Sequence, residues 1–426
     1  MRYRLRIVDN ILAKKMTAFG AVWIQGPKGC GKTTSGRYKA KTIVEFQDED
    51  KRDNLLMIAA TSPKKLLIGE KPILFDEWQD APKLFGAIRK DVDDSGEKGQ
   101  YILTGSSSNI PDTPHTGTLR ISRLQMYPMS LYESEESNGS VSILELFNNP
   151  AGFDGCHSEM SIDDIIYSIC RGGWPGCLTV EDKQSKLEIA RDLYKQTYSV
   201  DISNIDGVKR NPLIAQTVLR SYSRNICTLA EMKTLVQDVK ANYDVSEPTV
   251  YDYIAALEKL FIIDDIEAWS PSIRSKTAIR SAKKHNFTDP SIAVAAMGLS
   301  PEYFNKDFKT LGFLFESLCI RDLKIYTSLY DGKVSYYRDR YGLEADAVLH
   351  LNDGRYALIE FKLGQSEVEQ AAKHLCEIER LISVYNSKEP QCPLRMPDLK
   401  LIITATEYGY RRDDGVFVIP IGALKD

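Results

Sequence analysis

Several features that would mark a special class are missing from this sequence. No apolar run approaches the roughly 18 residues that a membrane span needs. The opening residues, Met1-Arg-Tyr-Arg-Leu-Arg6, lack the apolar core of a secretory signal. Both absences lead to the expectation of a cytoplasmic protein with no membrane partner. Its eight cysteines (Cys30, Cys156, Cys170, Cys177, Cys227, Cys319, Cys376, Cys392) contain no C-x-x-C pair. That argues against a zinc site or a disulfide framework and predicts reduced, structural thiols. Positive charge is not in excess either: 55 Lys and Arg against 59 Asp and Glu give a net charge of −4. Nucleic acid, if bound, must therefore meet a local basic patch. No internal repeat or low-complexity tract is present. What remains is a 426-residue chain of ordinary globular composition, long enough for two or three cores.

The most informative stretch follows the apolar run Ala21-Val-Trp-Ile24. Gly26, Pro27, Lys28, Gly29, Cys30, Gly31, Lys32, Thr33 and Thr34 satisfy G-x-x-x-x-G-K-[ST] at Gly26, Gly31, Lys32 and Thr33. Glycine is needed where backbone N–H groups must turn inward around phosphate oxygens. Lys32 then reaches the β- and γ-phosphates, the Thr33 hydroxyl ligates Mg²⁺, and the following helix adds its positive dipole end. After a second strand, Thr42-Ile-Val-Glu-Phe46, comes the apolar strand Pro72-Ile-Leu-Phe-Asp-Glu-Trp-Gln79, which ends in two acids. After a complete phosphate loop, Asp76 is the expected Mg²⁺-ordering acid and Glu77 the base that polarises the attacking water. The next apolar strand runs into Thr104-Gly-Ser-Ser107, where a hydroxyl, Ser106 in particular, is placed to sense the γ-phosphate. Short apolar strands alternating with helical segments predict an α/β fold, a parallel sheet sandwiched by helices. In such sheets ligands bind at the carboxyl ends of the strands, where all three polar motifs fall.

Further on, Leu119 to Glu133 has strand-like alternation and carries Arg120 and Arg123, and the polar, acidic stretch from 134 to 159 reads as a surface insertion. Helices follow, with a long amphipathic region from Lys183 to Tyr222. Helices over Leu229 to Val239 and Ser246 to Leu260, then a strand-like Phe261 to Trp269, suggest a winged-helix module. Its would-be recognition helix carries Glu247, Asp252 and Glu258 against Lys259, which tells against tight phosphate contact. The acid-free run with Arg274, Lys276, Arg280, Lys283 and Lys284 is the better candidate for touching DNA or RNA, or else a solvated connector. The remainder is α/β again, with strands near Val334–Arg338, Glu344–Leu351, Tyr356–Lys362 and Lys400–Thr404.

These residues together resemble a family of prokaryotic AAA-type ATPases joined to a C-terminal domain of unknown function related to PD-(D/E)XK nucleases. The likeness rests on Gly26 to Thr34, Ile73 to Gln79, Ile102 to Ser106, Arg120 with Tyr127-Pro-Met-Ser-Leu-Tyr-Glu133, and Gly172-Gly-Trp-Pro175. It continues through Phe315-Glu316, Tyr336-Tyr-Arg338, Gly342-Leu-Glu-Ala-Asp346 and Ile359-Glu-Phe-Lys362. Two positions depart from the family pattern: Leu119 stands where glycine is frequent and Met129 where leucine is usual. The resemblance implies ATP and Mg²⁺ as cofactors, a homo-oligomer, and Arg120 or Arg123 offered across a subunit interface to a neighbour's phosphates.

It also implies a second centre, in which Asp346 and Glu360 hold Mg²⁺, Lys362 orients water or stabilises developing charge, and Glu316 is the helix-borne acid. Strand alternation puts Glu360 and Lys362 on one face with Phe361 pointing into the core. Such folds also persist without activity. Two readings follow: an ATP-hydrolysing protein whose nucleotide state controls a winged-helix and nuclease-like half acting on nucleic acid, or an ATP-gated regulator with an inert nuclease fold. The expected domains are an ATPase domain over 1–165, a helical region over 166–222, the winged-helix-like module with its basic connector over 223–285, and the nuclease-like domain over 286–426.

Overall fold

The computed structural model describes residues 3–105, 117–272 and 281–426. Five parallel strands, β1 (Ala21–Gln25), β2 (Thr42–Glu45), β3 (Ile73–Asp76), β4 (Tyr101–Gly105) and β5 (Ile121–Gln125), form the N-terminal sheet. Their spatial order is β2-β3-β4-β1-β5. Alternation sorts their side chains into two cores. Trp23, Phe75 and Leu103 pack with Leu84, Phe85, Ile88 and Val92 of the helix Lys83–Ser95. On the other face Val22, Ile24, Leu74 and Ile102 meet Val8, Ile11 and Leu12 of the helix Ile7–Ala18. Strands buried on both faces read as continuous apolar runs, which is why they were visible in the sequence. The register sets Asp76 of β3 beside Thr104 of β4, and Thr104 beside Ile24 of β1, at the carboxyl edge from which the phosphate loop departs.

Only Ile121–Gln125 of the strand-like stretch from Leu119 to Glu133 is a strand. The rest turns back and is tied down elsewhere: Met129 N–H donates to the Gly173 carbonyl at 2.6 Å. A Cβ on Gly173 would stand 2.1 Å from the Met129 carbonyl oxygen, so this close backbone approach requires glycine.

The C-terminal sheet has seven strands: β7 (Cys156–His157), β12 (Tyr408–Arg411), β13 (Phe417–Pro420), β11 (Leu399–Thr404), β10 (Tyr356–Lys362), β9 (Glu344–His350) and β8 (Lys333–Arg338), in that spatial order. The helix Val368–Asn386 covers one face and the helix Phe308–Thr327 the other. The stretch expected as a surface insertion is instead stitched into this half. Its residues supply β7, and β6 (Val141–Ser142) pairs with β14 (Leu424–Lys425). Three of its apolar side chains, Ile143, Leu146 and Phe147, fall at helical spacing on the short helix Ile143–Asn148 and are buried.

Between the sheets, the helices Pro212–Arg224, Met232–Lys240 and Glu247–Lys259 precede two antiparallel bridges, Ile263 with Phe287 and Ile266 with Lys284. The expected strand from Phe261 to Trp269 is thus a pair of isolated bridges, plus a parallel one from Ala268 to Tyr336 of β8. Of the basic run, Arg274, Lys276 and Arg280 lie outside the described residues. Lys283 is exposed, but Lys284 is 2% exposed and is not a surface cation. The reason is that its bridge to Ile266 turns it inward, toward carboxylates of the C-terminal half. No described helix is long and apolar enough to cross a membrane.

Candidate functional site

The phosphate loop spans Gly26 to Gly31, between β1 and the helix Lys32–Lys39. A Cβ on Gly26 would stand 2.2 Å from the Met126 carbonyl oxygen, so the loop fits against the end of β5 only with glycine there. Lys32 is buried and donates from Nζ to the carbonyls of Gly26 at 3.0 Å and Pro27 at 2.8 Å, which holds its ammonium inside the loop. Thr33 Oγ1 donates to Asp76 Oδ1 at 2.7 Å, and Thr104 Oγ1 donates to that same oxygen. These hydroxyl and carboxylate oxygens, with an ammonium nearby, are the hard donor set that suits Mg²⁺ shared with substrate phosphates.

Glu77 follows immediately, in the left-handed backbone region with φ 51°. Burial pushes its carboxyl above the ordinary glutamate range, while the Gln79 amide and Lys32 pull the other way. A non-glycine residue held there costs energy and aims its side chain differently from a regular strand end. Ser106 lies outside the described residues. Thr104, two residues earlier on β4, brings a second hydroxyl to Asp76 beside that of Thr33.

Residues far away in sequence brace the loop. Arg6 donates to the Cys30 carbonyl at 3.1 Å and the Tyr127 carbonyl at 3.0 Å, and pairs with Glu133 at 3.1 Å. Lys28, expected among the phosphate contacts, is engaged by Asp201 at 2.6 Å, a side chain only 7% exposed on the turn Thr197–Asp201. Beside Gly31, Thr34 and Ser35 opens a cavity of about 340 Å³, also lined by Tyr3, Arg6, Pro175 and Thr179. Tyr3 stacks on Tyr38 with ring centroids 4.4 Å apart. Arg6, Tyr3 and Asp201 carried no local signal; only the fold brings them to the loop.

Arg120 does not reach this site within its own chain. It precedes β5 at the edge of the sheet opposite the loop, with its carbonyl accepting from Ala21 N–H, and its guanidinium pairs with Asp93 at 2.6 Å. Parallel strands separate their two ends by the full strand length. Arg123 is exposed and lies over the Trp23 ring at 5.4 Å.

The second constellation sits on β9 and β10. Lys362 Nζ is 2.7 Å from Glu360 Oε2 and 3.3 Å from Asp346 Oδ2, and Asp346 Oδ2 also accepts from Phe361 N–H at 2.9 Å. Phe361 is buried toward the helix Phe308–Thr327, as alternation requires. Burial and the neighbouring Asp346 push Glu360 upward, opposed by Lys362. Glu316 is also raised, to about 7, chiefly by burial. It accepts from Lys284 at 2.8 Å. Two cavities, of about 680 and 370 Å³, adjoin the constellation and share Asp346, Lys362 and Glu367 in their walls. The oxygens of Asp346 and Glu360 are of the kind a hard cation takes, with Lys362 already between them.

Comparison with known proteins adds three partial matches. Residues 18–135 match the model of an AAA domain, 162–303 that of a domain of unknown function (DUF8612), and 311–424 that of another (DUF4143). Residues 18–135 are therefore similar to an AAA domain, and they hold the P-loop pattern from Gly26 to Thr33. Among solved structures, the replication initiator DnaA bound to AMPPCP and single-stranded DNA is similar at 14% identity, over 59% of this chain and 86% of its own, with a TM-score of 0.26. The AMPPCP-bound DnaA from Aquifex aeolicus has the same identity and coverage at 14%, 59% and 86%, with a TM-score of 0.25. Drosophila ORC bound to DNA stands at 10%, covering 68% and 86%, with a TM-score of 0.15. Likeness with TM-scores this low carries no argument. No curated protein matches the chain.

Proposed function

We propose that the chain binds ATP at Gly26 to Thr34, hydrolyses it to ADP and phosphate, and passes its nucleotide state to the C-terminal half. The observation that carries this reading is the contact of Thr33 Oγ1 with Asp76 Oδ1 at 2.7 Å, one residue before the buried Glu77. Mg²⁺, when bound with ATP, neutralises phosphate charge. Around it Thr33 and Asp76 supply the protein's oxygen donors, the loop N–H groups and Lys32 hold the phosphates, and Thr104 fixes the orientation of Asp76. Glu77, raised by burial, accepts a proton from the attacking water. The cavity beside Gly31 and Thr34 takes the base, with Arg120 left to act only on a neighbouring copy's nucleotide in a homo-oligomer.

A polar path supports the link to the C-terminal half. Asp289 accepts from Gly173 N–H at 2.9 Å and from Arg321 at 2.8 Å, and Asp322 accepts from Leu131 N–H at 2.9 Å. Arg321 and Asp322 lie on the helix Phe308–Thr327, which also carries Glu316 into the second constellation.

Glu77→Gln should bind ATP yet turn it over at least about 10²-fold more slowly in a single-turnover assay. Unchanged turnover would remove Glu77 from its role, and unchanged nucleotide affinity in Lys32→Ala would remove the site itself. The second reading, a nucleotide-gated binding protein with an inert nuclease fold, is favoured by the lysines that already hold Glu316 and Glu360. Metal-dependent cleavage of DNA or RNA, lost in Asp346→Ala and in Lys362→Ala, decides against it.

A further inference from the structure

Two carboxylates of the C-terminal half face a cation that belongs to the chain. Lys284 Nζ lies 2.8 Å from Glu316 Oε1 and 3.0 Å from Glu344 Oε1, and its side chain is 3% exposed. The ring of Tyr336 closes another side, 5.6 Å from the ammonium. The lysine comes from neither of the elements that carry the acids: Glu316 is on the helix Phe308–Thr327 and Glu344 begins β9. Its aim is fixed by its own backbone, which exchanges two hydrogen bonds of 2.9 Å with Ile266, and by His285 N–H on the Thr228 carbonyl at 3.0 Å. Tyr336 Oη donates to the Ala282 carbonyl, holding the same segment from the other side.

Glu316 is buried, whereas the Glu344 side chain is 31% exposed; two acids brought this close, one of them removed from water, repel unless a cation stands between them. The cation can be a metal ion or an ammonium, and the two differ in charge and in the number of oxygens they gather. Here the ammonium marks the position. We propose that Lys284 is the resident cation of the Glu316–Glu344 pair, standing where a divalent ion would otherwise bind. Glu316 is then withheld from metal ligation, and any divalent ion in this half is left to Asp346 and Glu360, a clause that rests on the reading of that pair given above. Removing the ammonium without removing the acids converts Glu316 and Glu344 into a divalent-cation site.

The test uses the full chain without nucleotide, in three forms: unaltered, Lys284→Met, and Lys284→Met with Glu316→Gln. Bound Mn²⁺ is counted from the loss of the free-ion magnetic-resonance signal, and thermal unfolding is followed in chelator and in Mn²⁺. Lys284→Met should bind one more Mn²⁺ than the unaltered chain and gain at least about 5 °C more from it. The charge-balanced double variant should match the unaltered chain in both measurements. If Lys284→Met is unfolded in chelator, Mn²⁺ should restore its fold; failure to do so while the double variant folds overturns the proposal. An equal Mn²⁺ count in the unaltered chain and Lys284→Met overturns it as well. If the unaltered chain binds no Mn²⁺, the reading of Asp346 and Glu360 fails, and the difference between the forms still decides the role of Lys284.

Discussion

Replacing Arg321 with Met would take a guanidinium from between two carboxylates that have no access to water. The Arg321 side chain is 1% exposed and those of Asp289 and Asp322 are 0%. Arg321 donates to Asp289 at 2.8 Å and to Asp322 at 2.7 and 2.9 Å. Breaking a buried pair from one side costs about 3–5 kcal/mol, because an uncompensated charge stays behind. The acids keep other donors here, Gly173 N–H and Ser291 N–H on Asp289, and Leu131 N–H on Asp322. The lower end of that range is therefore expected, about 3 kcal/mol, or roughly 10²-fold in the opening equilibrium.

Amide hydrogen exchange resolved by mass spectrometry over the helix Phe308–Thr327 reads that opening directly. The pH dependence has a definite sign. Burial already raises Asp322 in the presence of Arg321. Without the guanidinium its folded pKa rises further, so the folded state holds a proton that the unfolded chain releases. Stability in the variant is then lost as pH rises above the ordinary carboxylate range and regained as it falls, so the deficit should shrink from pH 7 to pH 5. Adding Asp289→Asn and Asp322→Asn should recover most of the loss. Protection within threefold of the unaltered chain, or a deficit that grows on acidification, would refute the reasoning.

Three further outcomes are expected. Gly26→Ala places a methyl 2.2 Å from the Met126 carbonyl oxygen, and the loop must move to accept it. Nucleotide affinity should fall by about tenfold or more, as overpacking costs of order 1–3 kcal/mol imply, and a titration with a fluorescent ATP analogue checks it. Because burial raises Glu77 above the ordinary value of 4.5, its basic form is lost early on acidification. The turnover rate should decline with falling pH at a midpoint above 4.5, a dependence that disappears in Glu77→Gln. Lys28→Met leaves the Asp201 carboxylate, 7% exposed, without its ammonium, although the lysine is itself 50% exposed. A loss of about 1 kcal/mol is expected, visible in thermal unfolding and reversed by adding Asp201→Asn.

How much of this was legible beforehand depended on range. β1, β3 and β4 were readable because parallel strands buried on both faces spell continuous apolar runs, and the loop was readable because its glycines and lysine are contiguous. The helix Ile7–Ala18, which covers one face of the sheet, passed without a signal, its apolar residues mixed with Lys14 and Lys15. The stretch from 134 to 159 looked like an insertion because its composition is polar. Yet backbone pairing of Cys156–His157 with Tyr408–Arg411 needs no apolar sequence at all. The strand expected from Phe261 to Trp269 was read from propensity, and the structure grants it only isolated bridges.

By itself the sequence determined the phosphate loop, the two acids at the end of β3 and the Glu-x-Lys of β10, since each is a short pattern whose chemistry is local. Tertiary structure alone decided which distant groups complete them. Arg6 and Asp201 brace the loop, Thr104 shares the oxygen of Asp76 with Thr33, Arg120 sits at the far edge of the sheet, and Lys284 is turned inward onto Glu316. The physical reason is that a charge is assigned its role by what surrounds it once water is removed. Spacing along the chain sets only near neighbours, whereas burial and long-range pairing are set by the packing of the whole fold.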